Sequence, residues 1–570
     1  MTKLTRLPAT KSRGRRVREI TPQPARRSRR FARFIVRNSL ALAGFLAAVH
    51  LLLTLLTFLP QPHTGGDNAA YITLARSLLE RQAYLSLYDP AAPPHTQYPP
   101  VFPGLLAFGM MIGLRPFAGL KILISLMSAA AVTLSFLWIL RRRRPVLALA
   151  AGAILALSPG VLELAHWVLS DVPFWFFTML ALWGFERARP DQRAHWGAAI
   201  AATVLAYFTR SAGLPLLLGA FVWLIWRRNW RPLAILAGIA VPLAFLWWLR
   251  AQGQGGVDYV SQFWFVNPYE PALGRIGVSD LFTRAIENAN KYVRIHLPML
   301  LIARTNALAL LLALGVTGLA LVGWVRRLRR PALAEIFLPL YVGLLLIWPA
   351  VWSGERFLLP ALPVLLYFAG DALARVASRV RRGSAFRVGV AATAVLIVAM
   401  MPAQVTAIRA SSECTLEFRA GERFPCLPPA WRDWFGVAEW ARTSLPDDAV
   451  VLSRKPRLFY VLGDRPGTYY PMSDQPGELL RVAGEAGARY IVFDHLDGLS
   501  QRYLVPAVLG RVRAFCLVYD SPFDHTLVLG ILPGAMAMTD QPVDPATATL
   551  SECPAAYLSP DALRRRQLSR

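Results

Sequence analysis

Phe34–Leu59 reads FIVRNSLALAGFLAAVHLLLTLLTFL, and a short way beyond it comes Gly65-Gly66-Asp67-Asn68-Ala69-Ala70-Tyr71. The first stretch matches a bilayer core of ~30 Å at a rise of ~1.5 Å per helical residue. The second holds the first acidic residue after that run. It opens a region too rich in Gly, Pro and aromatics to be a span, continuing through Tyr84 to Tyr98-Pro99-Pro100-Val101-Phe102-Pro103. A carboxylate at a membrane surface is costly unless it has a task or a partner. Asp67 is therefore the leading candidate for a catalytic base.

Apolar runs of near-spanning length recur from there to about Met401 in this 570-residue chain, which is 55% hydrophobic and only 17% charged. That repetition points to a multi-pass α-helical membrane protein. The net charge of +28 could indicate a nucleic-acid partner, but its placement argues against one. Basic residues cluster at 11–33, 141–144, 227–231, 326–330 and 375–387, each against an apolar run. This is the positive-inside pattern, so the clusters mark cytoplasmic ends, where they also meet anionic lipid headgroups. The first run is too long for a signal peptide and reads as a retained anchor.

With the clusters placed inside, the expected spans are about 34–59, 117–140, 145–160, 172–186, 194–209, 212–226, 232–249, 304–325, 332–350, 356–374 and 386–402, about eleven in all. Residues 1–33 form a basic cytoplasmic tail and 34–402 the transmembrane domain, with a first outer loop over 60–116. Within that loop Asp67–Leu79 and Phe102–Leu114 read as interfacial helices. An odd number of spans puts residues 403–570 outside the cytoplasm, at the plasma (inner) membrane. All four cysteines, Cys414, Cys426, Cys516 and Cys553, lie in that tail, which fits disulfides in an oxidising compartment. Their pairing is open. Short apolar runs (450–452, 490–493, 516–519, 526–532) alternate there with helical stretches (437–444, 478–486, 503–512), the pattern of a small α/β domain.

Once the spans are oriented, Asp67, His95, Glu163, His166, Asp171, Arg210, His296, Glu355 and Arg356 fall at outer ends. Together they outline an outward-facing polar cavity. Each has a plainer use. Asp67 and Asp171 both stand where an N-cap is expected, Arg210 and Arg356 could snorkel, and Glu355 could pair with its neighbour Arg356. The histidines lack metal-binding spacing, so no metal or other cofactor is expected; a divalent cation has no support in the sequence.

Several elements share an order: Gly66-Asp67 with Tyr71, Asp89-Pro90, Tyr98-Pro99-Pro100, Ser170-Asp171, Thr209-Arg210, and Arg356-Phe357-Leu358-Leu359-Pro360 with Pro363. In this the chain resembles the GT-C glycosyltransferases, in particular bacterial relatives of the dolichyl-phosphate-mannose protein mannosyltransferases and of the aminoarabinose transferases. The resemblance implies a sugar carried on a polyprenyl phosphate and an acceptor hydroxyl on a glycan, glycolipid or protein, meeting at the outer face. It implies Asp67 as base, and Arg356 and Arg210 for the donor phosphate. Asp171, Tyr71, Tyr98, Glu355 and His296 become substrate-binding candidates. An acid-lysine-proline element found in the first loop of some relatives has no clear copy here. Transfer of a modified sugar to lipid A, or a lipid-carrier flippase or transporter, are the competing readings. A transporter would be expected to show paired broken helices and mid-span charges, and neither is visible. An envelope scaffold in which the tail binds a partner is the remaining alternative.

Overall fold

The structure is a computed structural model describing residues 26–114, 116–188, 192–252, 259–381, 383–522, 524–541 and 549–568. The basic tail before residue 26 lies outside the described residues. Among the described residues five helices are long and apolar enough to cross a membrane: Ser39–Leu56, Ala118–Arg141, Trp230–Ala251, Ala307–Arg327 and Ala385–Arg419. Shorter apolar helices, including Val101–Met111, Pro145–Leu157 and Leu333–Ile347, complete the bundle. Their outer faces are apolar. On Trp230–Ala251 the side chains of Leu243, Phe245, Leu246, Trp248 and Leu249 are all exposed. Such a face is stable only against lipid or a partner; with the helix lengths, it makes this a multi-helix membrane protein.

Inside the bundle, Asp171–Arg187 packs between Ala118–Arg141 and Arg193–Thr209, while Ala307–Arg327 pairs with Leu362–Val380. That second pair is close because Gly323 lies against the Phe368 carbonyl, where an added Cβ would sit only 2.2 Å from the oxygen. Small residues at membrane-helix contacts permit this approach. At one end of the bundle buried Arg142 is held by Glu186 and, at 2.6 Å, by Glu335, and stacks over the rings of Trp138 and Tyr367. Arg144, Arg327 and Arg375 converge on Asp371 at the same end.

At the opposite end the region between the first two long helices folds into Gly66–Glu80 and Val101–Met111, packed on each other. Ala385–Arg419 is one continuous 35-residue helix that carries the chain past residue 403. Ser411 Oγ on this helix donates to the Phe58 carbonyl at 2.7 Å. Beyond it stands a five-stranded sheet in the order β2-β1-β3-β5-β4. Its strands are β1 (Val451–Leu452), β2 (Gly467–Thr468), β3 (Tyr490–Phe493), β4 (Phe515–Asp520) and β5 (Leu527–Ile531). β1 pairs in parallel with β2 and β3, and β5 pairs antiparallel with β3 and β4. Disulfides join Cys414 to Cys426 and Cys516 to Cys553.

The sheet region is seated on the loop helices. Helix Pro456–Gly463 packs on Gly66–Glu80, Arg76 pairs with Asp464 at 3.0 Å, and the Gly467 amide donates to the Tyr88 carbonyl at 2.7 Å.

Candidate active site

Asp67 lies in the first turn of Gly66–Glu80, where a negative charge complements the helix dipole. It is not the cap: Gly65 occupies that position. The carboxylate instead accepts from the Tyr98 hydroxyl at 2.9 Å and from the Arg356 guanidinium at 3.1 Å. Residues 289 positions apart thus meet. The Asp67 side chain keeps 38% of its surface accessible and that of Arg356 25%, so the pair borders open space. Burial alone would raise the Asp67 pKa. Arg356 and Arg457, with the hydrogen bonds from Tyr98 and Arg356, outweigh it and hold the group below the usual carboxylate value.

Tyr98 is itself fixed. Its ring packs on Tyr71 and stacks on His95, with centroids 4.7 and 5.2 Å away. Its amide donates to His95 Nε2 at 3.0 Å, which leaves Nδ1–H to donate to Ser86 Oγ. Burial, reinforced by Arg457 and Arg250, depresses the His95 pKa to about 3, so this ring stays neutral. His63 packs on Trp167 and takes the Gly65 amide on Nδ1, with its pKa lowered to about 4 by burial and by Lys121 and Arg356.

A second ion pair lies beside the first. Arg210 donates to Asp171 at 2.7 Å and to Ser170 Oγ at 3.2 Å, and Ser170 is hydrogen-bonded to the Tyr71 hydroxyl at 2.9 Å. Asp171 begins helix Asp171–Arg187, whose cap is the preceding residue, Ser170, so neither it nor Asp67 is a cap. Both guanidiniums, of Arg210 and of Arg356, lie over the Phe357 ring, at 4.7 and 4.9 Å. Asp67, Tyr71, Tyr98, Asp171, Arg210 and Arg356 therefore form one connected assembly. Glu355 and His296 stand apart as their own pair, 3.5 Å between Nδ1 and Oε2, with His296 Nε2 on Ser353. The expected pairing of Glu355 with Arg356 is thus replaced: each reaches a different partner.

Residues 97–248 match the family model of dolichyl-phosphate-mannose-protein mannosyltransferase. Two solved structures span nearly the whole chain. ArnT from Cupriavidus metallidurans in the apo state is 15% identical with a TM-score of 0.55, covering 87% of this chain and 99% of its own. The Archaeoglobus fulgidus oligosaccharyltransferase complex with Zn and sulfate is 15% identical with a TM-score of 0.53, covering 84% and 73%. The chain has the GT-C glycosyltransferase fold. ArnT bound to undecaprenyl phosphate matches as well, at 15% identity and a TM-score of 0.53, covering 86% and 98%. No curated protein sequence matches the chain.

On this GT-C scaffold the sheet region contributes residues that the sequence pattern did not single out. Arg457 donates to the Tyr98 hydroxyl at 3.3 Å and lies over the rings of Tyr88 and Tyr98. Lys455 is within electrostatic reach of both Asp67 and His63. The one signal for them was the run Arg454-Lys455-Pro456-Arg457 directly after an expected strand. Tyr259 also feels Asp67, and its pKa is raised to about 12, first by burial and then by that carboxylate. Among the described residues no group of three or more His, Cys, Asp or Glu side chains is arranged to hold a metal ion.

Proposed function

We propose that this GT-C protein is a membrane glycosyltransferase that moves a sugar from a polyprenyl-phosphate donor to an acceptor hydroxyl at the extracytoplasmic face of the plasma membrane. The observation that carries this reading is the accessible Asp67 carboxylate, kept ionised between Tyr98 and Arg356. A neutral hydroxyl is a poor nucleophile, and a positioned carboxylate overcomes that by taking its proton.

In this reading the acceptor O–H proton passes to Asp67 as the oxygen attacks the anomeric carbon. The bond from that carbon to the phosphate oxygen breaks, and its electron pair leaves on the polyprenyl phosphate. One displacement inverts the anomeric configuration. Arg356, with donors left over beyond its bond to Asp67, faces the charge that develops on the phosphate. A fixed, half-dry guanidinium suits that task. Arg210, held by Asp171, stands behind it, and Tyr71, Tyr98 and Asp171 shape the sugar site. Glu355 and His296 line its edge.

The topology that goes with this has a cytoplasmic N-terminus, about eleven spans and residues 403–570 outside as an α/β domain. The cysteine pairs support that side, since disulfides persist in oxidising compartments.

The test is release of polyprenyl phosphate by purified protein in nanodiscs, offered a panel of polyprenyl-phosphate sugars with and without a glycan, glycolipid or peptide acceptor. Acceptor-dependent release is the expected result. Movement of the intact donor between leaflets without cleavage would replace the transferase with a flippase.

A further inference from the structure

Both arginines assigned above to the phosphate already face a carboxylate: Arg210 faces Asp171 and Arg356 faces Asp67. Two further cations reach the same hollow from the sheet region. Among the described residues neither Lys455 nor Arg457 has a carboxylate within ion-pair distance. Arg457 donates a hydrogen bond to the Tyr98 hydroxyl and lies over the rings of Tyr88 and Tyr98. Among the described residues its Nε–H is buried with no acceptor. A guanidinium kept charged with one N–H unspent is costly to a fold unless an anion arrives to meet it.

The topology of the sheet puts these groups where such a ligand belongs. The strand order β2-β1-β3, all parallel, changes direction at β1. Parallel α/β sheets bind ligands outside the carboxyl ends of their strands at such a switch point. Arg454, Lys455 and Arg457 follow the carboxyl end of β1, and Arg454 is tied across the crevice to Asp497, beyond β3, at 2.9 Å. Lys455, between them, caps helix Pro456–Gly463, which packs on Gly66–Glu80, the helix that carries Asp67, and it feels the charge of both Asp497 and Asp67.

We infer that Lys455 and Arg457 form a phosphate clamp for the lipid-linked donor, so that the reaction site is completed by the C-terminal region and is not contained in the membrane helices alone. This rests on the transferase reading above and adds to it the residues that hold the donor's phosphate. The clamp takes a phosphate ester on a long isoprenoid chain. Its chemistry would also accept free phosphate, which the experiment separates.

Full-length protein in nanodiscs is titrated with undecaprenyl phosphate, with uncharged undecaprenol and with inorganic phosphate. Wild type is expected to bind the phosphate lipid well above the alcohol, with inorganic phosphate displacing it only weakly. Arg457→Gln and Lys455→Gln are each expected to weaken lipid-phosphate binding about tenfold or more, as loss of a charge-assisted bond implies, and to raise the donor KM more than they lower kcat. Arg457→Lys should recover most of the binding, and Asp67→Asn should retain it. Arg76→Ala loosens the seating of the sheet region without removing a clamp cation, and should weaken binding less than either Gln variant. Gln variants that bind undecaprenyl phosphate like wild type would overturn the clamp while leaving the transferase reading in place. The clamp also falls if Arg76→Ala loses binding as severely as they do, since the loss would then come from docking. Tight binding of inorganic phosphate equal to that of the lipid would remove the lipid from the proposal. A wild type that does not distinguish the phosphate lipid from the alcohol would overturn both.

Discussion

Replacing Arg356 by Gln tests the coupling between the cation and the candidate base. Two unit charges ~4 Å apart attract by about 4 kcal/mol at an effective dielectric near 20. Both side chains are partly accessible, at 25% and 38%. Solvent screening at such exposure brings the interaction to roughly 2 kcal/mol. The sign follows from the direction of the shift. Asp67 lies below its ordinary value of 3.8, so the carboxylate remains ionised down to acid pH, and the proposed transfer is expected to persist there. Without Arg356 the burial that opposes ionisation persists while its largest compensation is gone. The acid limb of the profile of kcat/KM against pH should therefore move to higher pH. At neutral pH Asp67 stays ionised in both proteins, so any loss of kcat/KM there reports the weakened hold on the phosphate instead. The assay is release of polyprenyl phosphate from about pH 2.5 upward, with thermal unfolding in the same buffers to separate inactivation from titration. An acid limb that stays put, or moves down, would refute the electrostatic argument.

Other perturbations should behave as follows. Tyr98→Phe removes one donor from the Asp67 carboxylate and should lift the same acid limb, with little change in donor KM; an unchanged limb would show that the 2.9 Å bond does not matter to the carboxylate. Arg142→Ala leaves Glu186 and Glu335 buried without their cation. Breaking such a pair costs roughly 3–5 kcal/mol, so the melting temperature should fall while turnover per folded molecule is kept, and equal melting would sink the assignment of a structural role. Opening the Cys516–Cys553 bridge, which spans 37 residues, should cost about 2–4 kcal/mol and more than opening Cys414–Cys426, which spans 12. Thermal melts of the paired Cys→Ser variants decide the order.

The helices of the bundle were legible because a membrane span needs a minimum apolar length and leaves its basic flanks on one side. Ala118–Arg141 and Arg193–Thr209 fall within a residue or two of the expected limits. The approach of Arg356 to Asp67 was legible only through the shared order of motifs, since spacing along a chain says nothing about contacts 289 residues apart. The helix that continues past 403 was not legible for a physical reason. Apolarity ends there, but Ala, Gln, Arg, Leu and Glu continue to favour a helix, and Pro402 is accommodated inside it. Asp67 and Asp171 looked like caps because Asp so often is one, yet Gly65 and Ser170 hold those positions and free both carboxylates for arginines. β2 is two residues long and has no periodicity to detect. Arg457 carried only a local hint, because its partner Tyr98 lies in a different part of the fold.

The most direct measurement is turnover of Asp67→Asn on a polyprenyl-phosphate sugar, read beside its affinity for undecaprenyl phosphate. Asn keeps the size of the side chain and its bond with Tyr98 but cannot take a proton from the acceptor. Sugar transfer should drop by a factor of at least about a hundred, with lipid-phosphate binding preserved. Transfer at the wild-type rate in that variant would mean that the acid at the centre of this hollow is not the base.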